Sequence, residues 1–140
     1  MKTIICYTGG TLQETPGPGA VGVYVSDELG VMVCEEAQTI GNTTDTFAAY
    51  NAVLIGLQTL VSLYGGATKT MQFQVRLDCL VVAKQLNAEY QIKEPGLVPM
   101  FIEIHNMRVA SFPLVTFSHI SRAENKQAVR LVNEALDAVG

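Results

Sequence analysis

At 140 residues the chain has the length of one compact domain, enough to bury a core. Hydrophobic residues make up 49% of it and charged residues only 16%, which excludes a disordered chain and leaves few charges for the surface. Lys and Arg number 9 against 13 Asp and Glu, a net charge of -4 that is the reverse of a general phosphate-backbone binder, so only a local basic patch stays open.

Residues 3–7 form a short apolar run ended by Gly9-Gly10, which predicts a buried strand. Pro16-Gly17-Pro18-Gly19 predicts a rigid turn. Residues 20–26 and 31–40 predict two strands joined at Asp27-Glu28-Leu29-Gly30, a hairpin with glycine where positive φ is needed. Residues 46–64 predict a helix, with Asp45 or Thr44 as N-cap and Gly65-Gly66 as its stop. That span carries no charge between Asp45 and Lys69 and approaches a membrane helix in length. Asn51, Gln58, Thr59 and Ser62 interrupt it, so a core helix buried on more than one side, without a membrane, is expected.

Strand alternation resumes at 71–77, helices follow at 79–87 and 97–109, and a fifth strand at 113–119. Residues 123–139 predict a closing helix with Ala128, Leu131, Val132, Ala135 and Leu136 on its apolar face. The order β-β-β-α-β-α-α-β-α predicts a single α/β domain over residues 1–140, a five-stranded mixed sheet with helices on both faces.

Three cysteines, Cys6, Cys34 and Cys79, form no CxxC pair and lie far from His105 and His119, so no metal site or cofactor is expected from them. Free thiols in a reducing interior are the reading, and the N-terminal apolar run is too short for a signal peptide, which points to the cytoplasm. Gly17, Gly19 and Gly22 spell GxGxxG, yet the residues that follow alternate like a strand rather than opening a helix, so a dinucleotide loop is set aside. Cys79 beside two distant histidines, His119 among them, is not read as a nucleophile.

Four strings, in order, carry a resemblance to a known family. Residues 16–22 are similar to an NPGPxGxG turn, and Ile40-Gly41-Asn42-Thr43-Thr44 to the approach to a central helix that holds Tyr50 and Leu57. Residues 82–90 resemble VVKQLNGEY, and residues 119–128 resemble HVPREENKEA. Together they resemble ribonuclease H of the type 1 class along essentially the whole chain, which implies a ribonuclease H-like fold. Such enzymes hydrolyse the RNA strand of RNA–DNA hybrids with two divalent ions held by carboxylates.

Carried over position by position, the resemblance places Gly9, Ala49, Asp78 and Val129 where that family has four carboxylates. Only Asp78 retains one; Gly, Ala and Val offer no side-chain oxygen to a hard cation. The expectation is therefore a chain without catalysis and without a bound metal. Asp45 lies one turn before Ala49 on the same helix face, so a weak single-ion site with Asp78 stays open beside its N-cap role. The family's backbone-reading Asn positions are Thr15, Asp45 and Thr46 here, while Arg76, Lys84, Arg122 and Asn125 remain as candidate phosphate contacts.

Residues 97–112 depart most from the Lys- and Glu-rich helix of short family members. Val98, Pro99, Met100, Phe101, Ile102, Ile104, Met107, Val109 and Phe112 dominate it, which predicts either a partner surface or, equally, a more heavily buried helix. Met100, Phe101, Ile104 and Met107 are the candidate contacts for a protein partner or a second copy. A non-catalytic protein-interaction or scaffold module is thus the first expectation, a non-catalytic nucleic-acid binder the second and a residual nuclease the third.

Overall fold

The computed structural model describes residues 2–12 and 17–139; Thr15 and Pro16 lie outside them. Five strands form one sheet in the order β3-β2-β1-β4-β5. They are β1 (Thr3–Leu12), β2 (Gly17–Asp27), β3 (Met32–Thr43), β4 (Gln72–Leu77) and β5 (Val115–His119). β1 pairs antiparallel with β2 and parallel with β4, β2 pairs antiparallel with β3, and β4 parallel with β5. The mixed sheet expected from the element order is the one observed.

Two glycine segments behave differently from expectation. Gly9-Gly10 does not end β1, which runs on to Leu12, and Gly17, Pro18 and Gly19 lie inside β2, paired with Thr43, Asn42 and Gly41 of β3. At Gly30 the backbone does take φ +85, and the Asp27 carboxylate accepts from the Leu29 and Val31 main-chain N–H groups to close the hairpin.

α1 (Asp45–Tyr64), α2 (Leu80–Leu86) and α3 (Val98–Ser111) cover one face of the sheet, and α4 (Lys126–Val139) covers β1, β2 and β3 on the other. Strand alternation sorts the residues between these faces. Ile4, Cys6, Val23, Val25, Phe73, Val75 and Leu77 pack with Tyr50, Val53, Leu57 and Leu60 of α1 in the main core. Ala20 packs with Val132 and Leu136 in a smaller core beneath α4. Phe73 meets Phe112 edge to face with ring centroids 5.2 Å apart. Long and apolar as it is, α1 is a core helix wedged between sheet and α3 over most of its length. Thr44 occupies its N-cap position without a side-chain bond, and Asp45 is the first helical residue rather than the cap.

The main core includes a thiol that reports on folding. Burial, and secondarily Cys34, pushes the Cys6 pKa from its ordinary 9.0 up to about 12. The folded chain therefore keeps a proton that the unfolded chain loses. The resulting stability is fully present below pH 9 and is lost as pH rises from there toward 12. At pH 10 the loss attributable to Cys6 is on the order of 1 kcal/mol. Urea denaturation at pH 7 and pH 10 checks this: Cys6→Ala should reduce the difference between the two pH values, the remainder coming from Cys34, Cys79, Tyr50 and Tyr64, which are raised as well.

Candidate functional site

β1 has a parallel neighbour on one side and an antiparallel one on the other. From the parallel pair β1 and β4 the chain winds outward in opposite directions, to β2 and β3 on one side and to β5 on the other, and such a divergence leaves a crevice beyond the carboxyl ends of the pair, where ligands bind. The register Thr8↔Leu77 brings Gly9 and Asp78 side by side at that crevice, and Leu77↔His119 adds the end of β5.

Helix packing around this point is unusually close. A Cβ on Gly10 would lie 2.2 Å from the Ala48 carbonyl oxygen and 2.9 Å from the Ala49 nitrogen, so the first turn of α1 rests on bare β1 backbone. From the opposite face, a Cβ on Gly22 would lie 2.5 Å from the Ala128 carbonyl oxygen of α4. Glycine is required at both positions by close approach.

A short 3-10 turn, Arg122–Glu124, leads into α4 and is fixed by a capping box. The Ser121 main-chain N–H donates to Glu124 Oε1 at 3.1 Å, and the Glu124 N–H donates to Ser121 Oγ at 3.2 Å. The first of these bonds, followed by the one from the Ser121 hydroxyl, holds the Glu124 carboxyl below its ordinary range. The turn delivers Asn125, which is fully buried. Its Nδ2 donates to the Thr8 carbonyl at 2.9 Å and to Asp78 Oδ2 at 3.1 Å. Its Oδ1 has no partner among the described residues.

The positions singled out by sequence therefore do meet. Gly9, Gly10, Thr11, Asp78, Arg122 and Val129 line a residual cavity of about 10 Å³, with the backbone of Ala49 against Gly10. Among the described residues, no group of three or more His, Cys, Asp or Glu side chains is arranged to hold a metal. A pair of divalent ions, each demanding several anionic oxygens, does not fit the donor set at this crevice. Asp45 and Asp78 both act on the Cys79 thiol, whose pKa is raised first by burial and less by these two carboxylates.

Beside the crevice lies a cavity of about 550 Å³ that sequence reasoning missed. Thr46 of α1, Val81 and Gln85 of α2, and Tyr90, Lys93 and Leu97 from the following segment contribute to its walls. Gln85 is buried, and its Oε1 accepts from the Tyr50 hydroxyl at 2.6 Å, which fixes the amide at the cavity wall. The signal available in sequence was a glutamine within the apolar face of α2, buried where a polar group needs a partner.

The candidate contact residues fall in different places. Arg122 lines the crevice, with no ion pair or hydrogen bond from its side chain among the described residues. Arg76 is engaged within the fold, donating to the Tyr7 hydroxyl and to Gln74 at 2.9 Å each. Lys84 pairs with Glu89 at 3.5 Å on the surface. Asn125, expected at a phosphate, is instead spent on Thr8 and Asp78.

On α3, Ile104 is only 1% exposed and belongs to the core, which removes it from any docking face. Met100, Phe101 and Met107 are half-buried against that core. The stripe that faces solvent is Val98, Ile102 and Val109, exposed at 40%, 50% and 69%.

Fold and crevice together define a ribonuclease H-like α/β domain. The chain belongs to the reverse transcriptase-like family, whose model matches residues 7–135. It is 30% identical over 139 residues to the bifunctional protein Rv2228c of Mycobacterium tuberculosis and 33% identical over 132 residues to a ribonuclease HI of Halobacterium salinarum. These matches span 99% and 94% of this chain, but 36% and 63% of the relatives, so the chain has about a third of the length of the first. LC11-RNase H1, isolated from compost by a metagenomic approach, is 36% identical over 99% of both chains with a TM-score of 0.93. The structure of LC11-RNase H1 in complex with an RNA/DNA hybrid is 35% identical, covers 97% of this chain and 98% of that one, and also has a TM-score of 0.93.

These relationships correct one expectation. Gly9, Ala49 and Val129 suggested a chain that is no enzyme, but a relative named ribonuclease HI and neighbours that are ribonuclease H1 structures point to an enzyme. The missing oxygens at three positions describe the donor set of this site.

Proposed function

We propose that the chain engages RNA–DNA hybrids in the crevice at the carboxyl ends of β1 and β4, with the neighbouring cavity forming part of the contact. The observation that carries this reading is the close match, TM-score 0.93 over 97% of this chain, to a ribonuclease H1 structure that holds an RNA/DNA hybrid. The chemistry of the surface supports it. Tyr90 offers a ring face for a base or sugar, Lys93 a cation for phosphate between Glu89 and Glu94 in the same lining, and Thr46 a hydroxyl for the backbone. Arg122, whose side chain has no ion pair or hydrogen bond among the described residues, lines the crevice with Asp78 at the other end of the surface. The overall charge of -4 means that these local cations must do the electrostatic work.

Anisotropy titration of labelled hybrid across a salt series tests this. Arg122→Ala should weaken binding and lower the salt slope by about 1, as expected for loss of one phosphate contact. Tyr90→Ala should cost about 1 kcal/mol or more without changing that slope. If both variants bind as the unaltered chain does, the surface has been placed wrongly.

The exposed stripe Val98, Ile102 and Val109 favours a second reading, in which α3 docks a protein partner or a second copy. Ile102→Asp is then expected to abolish association seen by sedimentation while leaving the melting temperature unchanged. Sedimentation as a monomer by the unaltered chain at high concentration would remove self-association from consideration.

A further inference from the structure

We infer that Asp78, Asn125 and the Thr8 carbonyl form a hydrogen-bonded clasp that does the joining work of a divalent cation, so that neither the fold nor nucleic-acid binding at this crevice depends on Mg²⁺ or Mn²⁺. The clasp ties three segments far apart in sequence: Thr8 within β1, the residue after β4 and the residue before α4. Its binding consequence rests on the hybrid reading above; its folding consequence does not.

Hydrogen-bond chemistry fixes the direction of the clasp. Both amide hydrogens of Asn125 have acceptors, the Thr8 carbonyl at 2.9 Å and Asp78 Oδ2 at 3.1 Å. Turning the amide over would set its oxygen against two other acceptors, so the orientation is determined. One N–H presents its positive end to Asp78 Oδ2, so a cation on that oxygen would have to share it with this donor. Burial strengthens the case. Asn125 is fully enclosed and its own Oδ1 has no partner among the described residues, a cost that the two bonds from Nδ2 must outweigh.

Space and donors agree with this. A Cβ on Gly9 would sit 3.3 Å from Ala128 Cβ and 3.6 Å from Asn125 Nδ2, so α4 has settled onto the bare end of the strand. What remains is about 10 Å³, with Val129 and Val132 in its lining. That is about the room of one water, and apolar groups form part of the wall. Even a single-ion site with Asp78 would need the carboxylate of Asp45, the first residue of α1.

Thermal denaturation of the full chain in EDTA, Mg²⁺ and Mn²⁺, with hybrid titration at matched ionic strength, tests the inference. The melting temperature should agree within about 1 °C across the three conditions, and hybrid affinity within about twofold. Asn125→Asp replaces the donors with a second carboxylate; its melting temperature should fall in EDTA and recover in Mn²⁺. A saturable rise of about 4 °C or more for the unaltered chain in Mn²⁺, lost in Asp45→Asn, would overturn the inference in favour of a single-ion site. So would hybrid binding abolished by EDTA, or an Asn125→Asp chain that is stable and indifferent to Mn²⁺. If Asn125→Asp does not fold, the comparison on the unaltered chain still decides. If no hybrid binds in any condition, the functional reading fails while the melting comparison continues to judge the clasp.

Discussion

Gly10→Ala should destabilise the chain by about 3 kcal/mol, near the upper end for overpacking, because the atoms it meets are backbone. The added methyl would stand 2.2 Å from the Ala48 carbonyl oxygen and 2.4 Å from its carbon, and neither can swing aside as a side chain would. Relief requires α1 to lift from β1, and α1 carries Tyr50, Val53, Leu57 and Leu60 of the main core. Gly9→Ala, one residue earlier, is the control. Its methyl meets the Ala128 side chain at 3.3 Å and should cost about 1 kcal/mol or less. Urea denaturation of the two variants checks the contrast. Equal stabilities would mean that the close approach of α1 to β1 is not as described.

Asn125→Ala is the second large effect, expected at about 3 kcal/mol. It removes one bond to a carboxylate and one to a main-chain carbonyl, and leaves both acceptors near a closed interior. Part of the loss is offset because the unpartnered Oδ1 disappears too. A double-mutant cycle with Asp78→Ala isolates the shared term, which should be about 1.5 kcal/mol or more. Additive losses would show that Asp78 and Asn125 are neighbours without being coupled.

Much of the fold was legible because each element carried its own period and its own stop. The order of strands and helices, the Gly30 hairpin and the closing amphipathic helix follow from local pattern. Gly9-Gly10 predicts a strand end because glycine breaks most local patterns. In the structure Gly9 pairs with Gly22, and Gly10 admits α1, so both continue the strand to permit close packing. On α3 the apolar content was visible, but its division was not. Ile104 faces the core while Val98, Ile102 and Val109 face out, a choice made by α1 rather than by α3 itself.

The site was legible as a set of positions and not as an arrangement. Gly9, Ala49, Asp78 and Val129 were found one by one through resemblance. The clasp was not, because its bonds span 117 and 47 residues and Asn125 looked like a surface contact. The larger cavity was invisible for a similar reason. Thr46, Gln85 and Lys93 come from separate segments, and only their assembly makes a wall. The family relation then corrected what residue substitution alone had suggested about enzyme class.

The most direct measurement is a low-salt anisotropy titration comparing labelled RNA–DNA hybrid, duplex DNA and single strands, with Mn²⁺ present and the strands resolved afterwards on a denaturing gel. The account predicts saturable hybrid binding, tighter than to either alternative and weakened by added salt. Flat titrations for all three nucleic acids at low salt would contradict it.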